Sequence, residues 1–171
     1  MTVVWVNGPF GIGKTTTASL LAQSWEGAAV FDPEELGPAA REWDHTSTDF
    51  QDIPVWRELT VRSVIEADRV TGRVVVPMTL LRPAYFVEVM DGLRAAGIDV
   101  HHFCLVASRD ETLRRAAQRA DHTLRWVEAM YDAYSPSLAD PLFAEHVDIE
   151  RTPAESVAHH IHNALSQREC A

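Results

Sequence analysis

The chain has 171 residues, 46% hydrophobic and 23% charged, with a formal net charge of −10. That size and composition suit one globular domain with a real core. The acidic balance argues against a nucleic-acid substrate, because binding a phosphate backbone needs a basic face. Apolar runs such as VVVPM fall far short of the ~20 residues of a membrane-spanning helix.

The chain enters a strand-like run at once, with no basic region leading into an apolar leader, so a cytoplasmic protein without membrane association is expected. Cys104 lies in an apolar run and Cys170 is next to last, a pattern that predicts neither a disulfide framework nor a zinc site.

Strand-like and helix-like segments alternate along the chain, as in an α/β fold. TVVWVN (2–7) is β-rich and leads through a glycine loop into a helix over about 14–25. AAVFD (28–32) reads as a second strand. The stretch 33–53 is polar, broken by Pro33 and Pro38, and carries Trp43 and Phe50. Residues 54–70 hold an imperfect amphipathic pattern through Val55, Leu59, Val61, Val64, Ile65 and Val70. GRVVVPM (72–78) has the continuous branched apolar residues of a strand buried on both faces. The helix over 83–97 opens on Pro83 and ends on Gly97. A fourth strand follows at 99–107, an arginine-rich helix at 109–120, and a short strand at 146–149. The last helix, 152–165, begins Thr152-Pro153 with Glu155 three residues after the threonine, a capping signature. The expected architecture is a three-layer αβα sandwich on a five-stranded parallel sheet, all within one domain, 1–171.

The chemistry starts between the first strand and the first helix. Gly8 to Thr15 spells G-x-x-x-x-G-K-T, the spacing of a phosphate-cradling loop. Gly8, Gly11 and Gly13 let the backbone curl, so that the N–H groups of Phe10, Ile12 and their neighbours turn inward, and the helix N-terminus at Thr16 adds partial positive charge. Lys14 would bridge the terminal phosphates of ATP and the Thr15 hydroxyl would ligate Mg²⁺. The chain has 15 basic residues, and Lys14 is its single lysine against fourteen arginines. A compact ammonium fits inside such a loop where a planar guanidinium fits badly, so its retention there supports the motif. Guanine-reading N-K-x-D is absent, since the only asparagines are Asn7 and Asn163. The third strand ends VVVPMTLL without the acid that motor and transport ATPases carry. Small-molecule kinases remain.

Asp32 closes the second strand, and strand C-termini border the ligand crevice of an open parallel sheet. There it would accept a proton from an acceptor hydroxyl, help hold Mg²⁺ through water, or cap the helix begun by Pro33. Glu34 and Glu35 read as first-turn charges, with Glu35 also a candidate for the acceptor site. Arg115 and Arg119 lie four apart on one helix face, suited either to a transferring phosphoryl group or to ion pairs such as Glu111 with Arg115. The acceptor region is placed at about 33–60, with Trp43, Phe50, Trp56, Met78 and Arg82 as lining candidates. Tyr85 and Phe86 stand between pocket and core, and the histidines read as structural.

Together VWVNGPFGIGKT, FDPEELG, FQDIPVWR, VVVPMTLLRPAYF and VHHFCLVAS resemble the bacterial tunicamycin-resistance protein family, in order from about Val4 to Ile161. The resemblance implies a phosphate-loop kinase-like αβα fold, ATP with Mg²⁺, and resistance to a nucleoside antibiotic, by phosphorylation or by sequestration. DETLRRAAQR is similar to an adenylate-kinase-like pattern, which would set Arg115 on adenine and Arg119 on phosphate beside a short lid at about 115–125. By analogy with related antibiotic phosphotransferases Asp32 would be the catalytic carboxylate, acting with Lys14 of the loop and with Arg119. The chain is expected to act as a monomer or homodimer. A metabolic nucleoside or nucleotide kinase is the third reading.

Overall fold

Five strands form one sheet: β1 (Thr2–Asn7), β2 (Ala29–Val30), β3 (Arg73–Pro77), β4 (Asp99–Val106) and β5 (His146–Asp148). They run all parallel in the order β2-β3-β1-β4-β5. Val4 of β1 sits in register between Val75 of β3 and His101 of β4. The computed structural model describes residues 1–47, 49–118, 124–143 and 145–169. Cys170 and the end of the arginine-rich helix at 119–120 lie outside them.

Because side chains alternate along a strand, β1 sends Val3 and Trp5 to one face and Val4 and Val6 to the other. The first face is covered by α3 (Pro54–Thr71) and α4 (Pro83–Ala95), which bury Trp56, Val64, Phe86, Val89, Met90 and Leu93. The second is covered by α1 (Lys14–Ser24) and α7 (Ala154–Glu169), through Ala18, Leu21, Val157, Ile161 and Leu165. The sandwich is therefore three-layered, as the alternation of elements predicts. Burial on both faces is what gives the central strands their unbroken apolar runs.

Boundaries follow the sequence within a few residues, with two differences. β2 shortens to two residues, although Phe31 N–H still donates to Val75 O at 3.0 Å. The last helix starts at Ala154 and runs to Glu169, and the Thr152 hydroxyl donates to Glu150 O at 3.2 Å.

Between α1 and α3, the polar stretch folds into 3-10 turns at Pro33–Leu36 and Phe50–Asp52 around a short α2 (Gly37–Arg41). Past α5 (Arg109–Ala116), a further helix, α6 (Leu124–Tyr134), fills a stretch the sequence left unassigned. Arg109 ties the two helices, pairing with Glu128 and with Asp132, the latter at 3.0 Å. Tyr131 OH donates to Ala107 O at 3.3 Å. Cys104 is buried in the sheet, and burial pushes its thiol up to about 12, which leaves it unreactive. Among the described residues, no helix is long and apolar enough to cross a membrane.

Candidate active site

β1 is the central strand, and the loop leaving its C-terminal end is held from beneath. Asn7 is fully buried and makes three hydrogen bonds: its amide donates to Leu80 O at 2.9 Å, and its Oδ1 accepts from Gly8 N–H at 2.9 Å and Leu80 N–H at 2.8 Å. Thr79 Oγ1 donates to Gly8 O at 2.9 Å. These two residues were not singled out from the sequence as site residues, although both lie within the family-like blocks.

Gly8 has φ +133°, and a Cβ there would lie 2.6 Å from Leu105 O. Gly11 has φ +78°, and a Cβ there would lie 2.8 Å from the Ala116 Cβ. Neither position admits another residue without strain. Gly13 caps α1 with no side-chain cap, so the helix's first amides are open toward a ligand, beside the exposed Thr15 and Thr16. Lys14 is buried, and its Nζ donates to Pro9 O at 2.9 Å, 5.5 Å from the centre of the Phe10 ring. Ile12 turns its side chain into the core, so only its backbone is offered to the loop. A backbone cradle, a helix N-terminus, an ammonium and a hydroxyl are the donor set of a Mg²⁺-triphosphate site.

On one side of the loop, α5 and the segment after β5 enclose a cavity of about 580 Å³ lined by Arg114, Arg115, Gln118, Arg151 and Thr152 among others. Arg115 anchors it. Its guanidinium donates to Glu111 at 2.8 Å, Ile149 O at 2.8 Å, Thr152 O at 2.9 Å and Ile12 O at 3.5 Å. These bonds fix the guanidinium in the cavity wall, with the side chain 17% exposed. Arg114 and Arg115 hold the Glu111 carboxylate well below its usual range, at about 2. The ion pair read from the sequence for Glu111 and Arg115 is thus present. Arg119 lies outside the described residues, as does the middle of the expected lid.

On the other side lies a cavity of about 390 Å³. Phe10 from the loop, Phe50, Trp126, Met130 and Tyr134 supply its apolar wall, and Glu34, Arg41, Asp49, Asp52 and Arg82 its charges. Arg82 pairs with Asp52 and, at 3.6 Å, with Asp49. Tyr85 OH donates to Asp52 at 2.9 Å and Tyr134 OH to Asp49 at 3.2 Å. Burial raises the Tyr134 phenol, keeping it protonated as a donor. Arg57 braces the Phe50–Asp52 turn by donating to Gln51 O at 2.6 Å, and lies 4.2 Å over the Tyr85 ring.

Of the acceptor residues proposed from sequence, Phe50 and Arg82 line this cavity and five others do not. Trp56 is fully buried, its indole N–H donating to Pro33 O at 3.0 Å, and supports Phe50 from behind at 5.0 Å. Met78 is fully buried because its backbone continues the β3 ladder and its side chain joins the core. Trp43 is 78% exposed, beyond the end of α2. Glu35 is exposed and its neighbour Glu34 faces the cavity instead, since a 3-10 turn rotates ~120° per residue. Asp32 caps that turn, accepting from Glu34 N–H at 2.9 Å, two strands across the sheet from the loop. Asp49, Asp52, Trp126 and Tyr134 were not singled out from the sequence: the first two fall within the expected acceptor region 33–60, and the other two lie on α6, which the sequence left unassigned.

A five-stranded parallel sheet with this loop at the C-terminal end of its central strand defines a phosphate-loop, kinase-like nucleotide-binding fold. The family described as an AAA domain matches residues 3–137. The structure of the tunicamycin resistance protein of Deinococcus radiodurans is 32% identical, with a TM-score of 0.78 over 96% of this chain and 95% of that one. The chain belongs to the tunicamycin-resistance protein family, in the AAA-domain group, as its motifs imply. A gluconokinase from Sinorhizobium meliloti (14% identical, TM-score 0.65, 98% and 97% of the two chains) shares the fold. So does a sugar kinase from a Janibacter species (18% identical, TM-score 0.67, 97% and 95%). No curated protein sequence matches the chain significantly.

Proposed function

We propose that the chain is an ATP-dependent phosphotransferase acting on a hydroxyl of a nucleoside-type antibiotic such as tunicamycin, and so confers resistance to it. The observation that carries this reading is the position of the phosphate loop between two cavities: Phe10 lines the smaller, and Ile12 O accepts from Arg115 of the larger. A nucleotide with its phosphates in the loop has room for its base against the face of Arg115. The terminal phosphate then points toward the cavity walled by aromatic rings and paired charges, a lining suited to a nucleoside.

Lys14 and the loop amides would hold the phosphates, and the Thr15 hydroxyl would hold Mg²⁺, which when bound would supply neutralising charge. The acceptor oxygen attacks the terminal phosphorus, the bridging P–O bond breaks, ADP departs, and the hydroxyl proton passes to Asp32. Catalysis rests on positioning and charge stabilisation, to which Arg119 contributes. Residues 33–60 form the acceptor side and 115–125 a lid within a single domain.

Incubation with ATP·Mg²⁺ and tunicamycin should yield a product heavier by one phosphate in mass spectrometry. A panel of nucleosides that shows no such product with any member overturns the kinase reading. Sequestration without turnover is the second reading, favoured by the use of the Asp32 carboxylate as a helix cap. Asp32→Asn separates the two, abolishing phosphorylation while leaving tight drug binding. Glu34→Gln in parallel reports whether the carboxylate that lines the cavity takes the proton instead.

A further inference from the structure

We propose that Phe10 is a positioning residue that couples the two sites, so that nucleotide and acceptor strengthen each other's binding; this rests on the function proposed above. Phe10 belongs to the phosphate loop by sequence and to the acceptor cavity by its side chain. Its ring meets Trp126 edge-on, with centroids 4.8 Å apart and planes at 67°, and lies 6.2 Å from Tyr134. Both partners sit on α6 and both line the same cavity. One residue on, the close packing at Gly11 extends to Val127, whose Cγ1 would lie 3.7 Å from a Cβ there. The loop therefore rests on α5 and α6 at two consecutive residues, and Arg109 on α5 pairs with Glu128 and Asp132 on α6.

Lys14 supplies the link to the nucleotide. Its ammonium donates to Pro9 O and lies beside the Phe10 ring. Triphosphate oxygens attract an ammonium far more strongly than a neutral carbonyl does. A bound nucleotide draws Lys14 away from the peptide preceding Phe10 and from the ring, and the ring face it leaves becomes available to the acceptor. The aromatic pair transmits the change to Trp126 and the α6 wall. Coupling between two binding sites is reciprocal, so the acceptor must tighten nucleotide binding by the same factor. An edge-to-face aromatic pair limits that factor to about threefold to tenfold.

The test uses AMP-PNP·Mg²⁺ and tunicamycin, with calorimetry and tryptophan emission, on the wild type, Phe10→Ala, Phe10→Tyr and Trp126→Phe. Saturating AMP-PNP·Mg²⁺ should tighten tunicamycin binding about threefold to tenfold in the wild type and in Phe10→Tyr, and by less than about 1.5-fold in Phe10→Ala. AMP-PNP·Mg²⁺ alone should change the emission of the wild type. That change should be lost in Trp126→Phe, and lost in Phe10→Ala even when calorimetry shows the nucleotide bound to saturation. An unchanged coupling factor in Phe10→Ala, or a factor of one in the wild type, overturns the proposal. If AMP-PNP binds but tunicamycin does not, the acceptor is misassigned and the emission change decides the coupling, its persistence in Phe10→Ala refuting it. If calorimetry detects no AMP-PNP binding, the nucleotide reading falls and the coupling with it.

Discussion

Replacing Asn7 with alanine tests whether the phosphate loop is anchored by one side chain. The amide makes three hydrogen bonds in a fully buried setting, two to Leu80 and one to Gly8. Truncation strands two backbone N–H groups and one carbonyl where water has little access. Each unsatisfied buried group costs about 1 kcal/mol or more, so Asn7→Ala should lose roughly 3–4 kcal/mol of folding stability. For a small domain that is a large share of ~5–15 kcal/mol. Urea unfolding followed by circular dichroism, extrapolated to zero denaturant, measures it directly. Leu80 opens the segment leading to Arg82, so nucleotide affinity and acceptor affinity should both weaken. A loss below about 1 kcal/mol, with both affinities intact, would refute the view that Asn7 ties the loop to the β3–α4 connection.

Three other outcomes follow from the same geometry. Gly11→Ala places a methyl 2.8 Å from the Ala116 Cβ at a left-handed φ, and should weaken AMP-PNP·Mg²⁺ binding more than about tenfold by calorimetry. Acid should destabilise the protein through His102, whose ring lies 4.6 Å from Phe86 and 6.1 Å from Phe143, with Nε2 buried and without a partner. Burial lowers its pKa from 6.5 to about 4, with His146 and Arg94 adding to the effect. The unfolded chain therefore takes up a proton that the folded chain refuses, and stability falls as pH drops from about 6.5 toward 4, by about 2 kcal/mol at pH 5. Urea midpoints between pH 7 and pH 5 should shift less in His102→Phe than in the wild type. Finally, Asp68 is 1% exposed and both carboxylate oxygens lack a hydrogen-bond partner within the protein. Asp68→Leu replaces a buried polar group that has no hydrogen-bond partner with an apolar one of similar size, and should raise the melting temperature by a few degrees, about 1 kcal/mol, in a thermal scan.

What could be read from the chain alone was local in its physics. Val74 to Val76 had to be a strand buried on both faces, because continuous branched apolar residues suit little else. Gly8 to Thr15 had to be a phosphate loop, because glycine spacing, a lone lysine and a following helix each serve one anion. Family resemblance extended that reading to the whole fold. Sequence could not order the strands, since β1 pairs with segments beginning near residues 73 and 99 and the choice is made by long-range packing. Nor could it separate three aromatic side chains of one region: Trp43 is exposed, Trp56 is sealed in the core and Phe50 faces the cavity.

Tertiary structure assembled the smaller cavity. It draws Phe10, Glu34, Asp52, Arg82 and Trp126 from five separate stretches, and of these the sequence offered only Arg82 as a lining residue. A triphosphate is gripped by consecutive backbone amides, so the site that holds it is written in consecutive residues. The smaller cavity is lined by side chains, and these meet only after the sheet has brought the ends of its strands together.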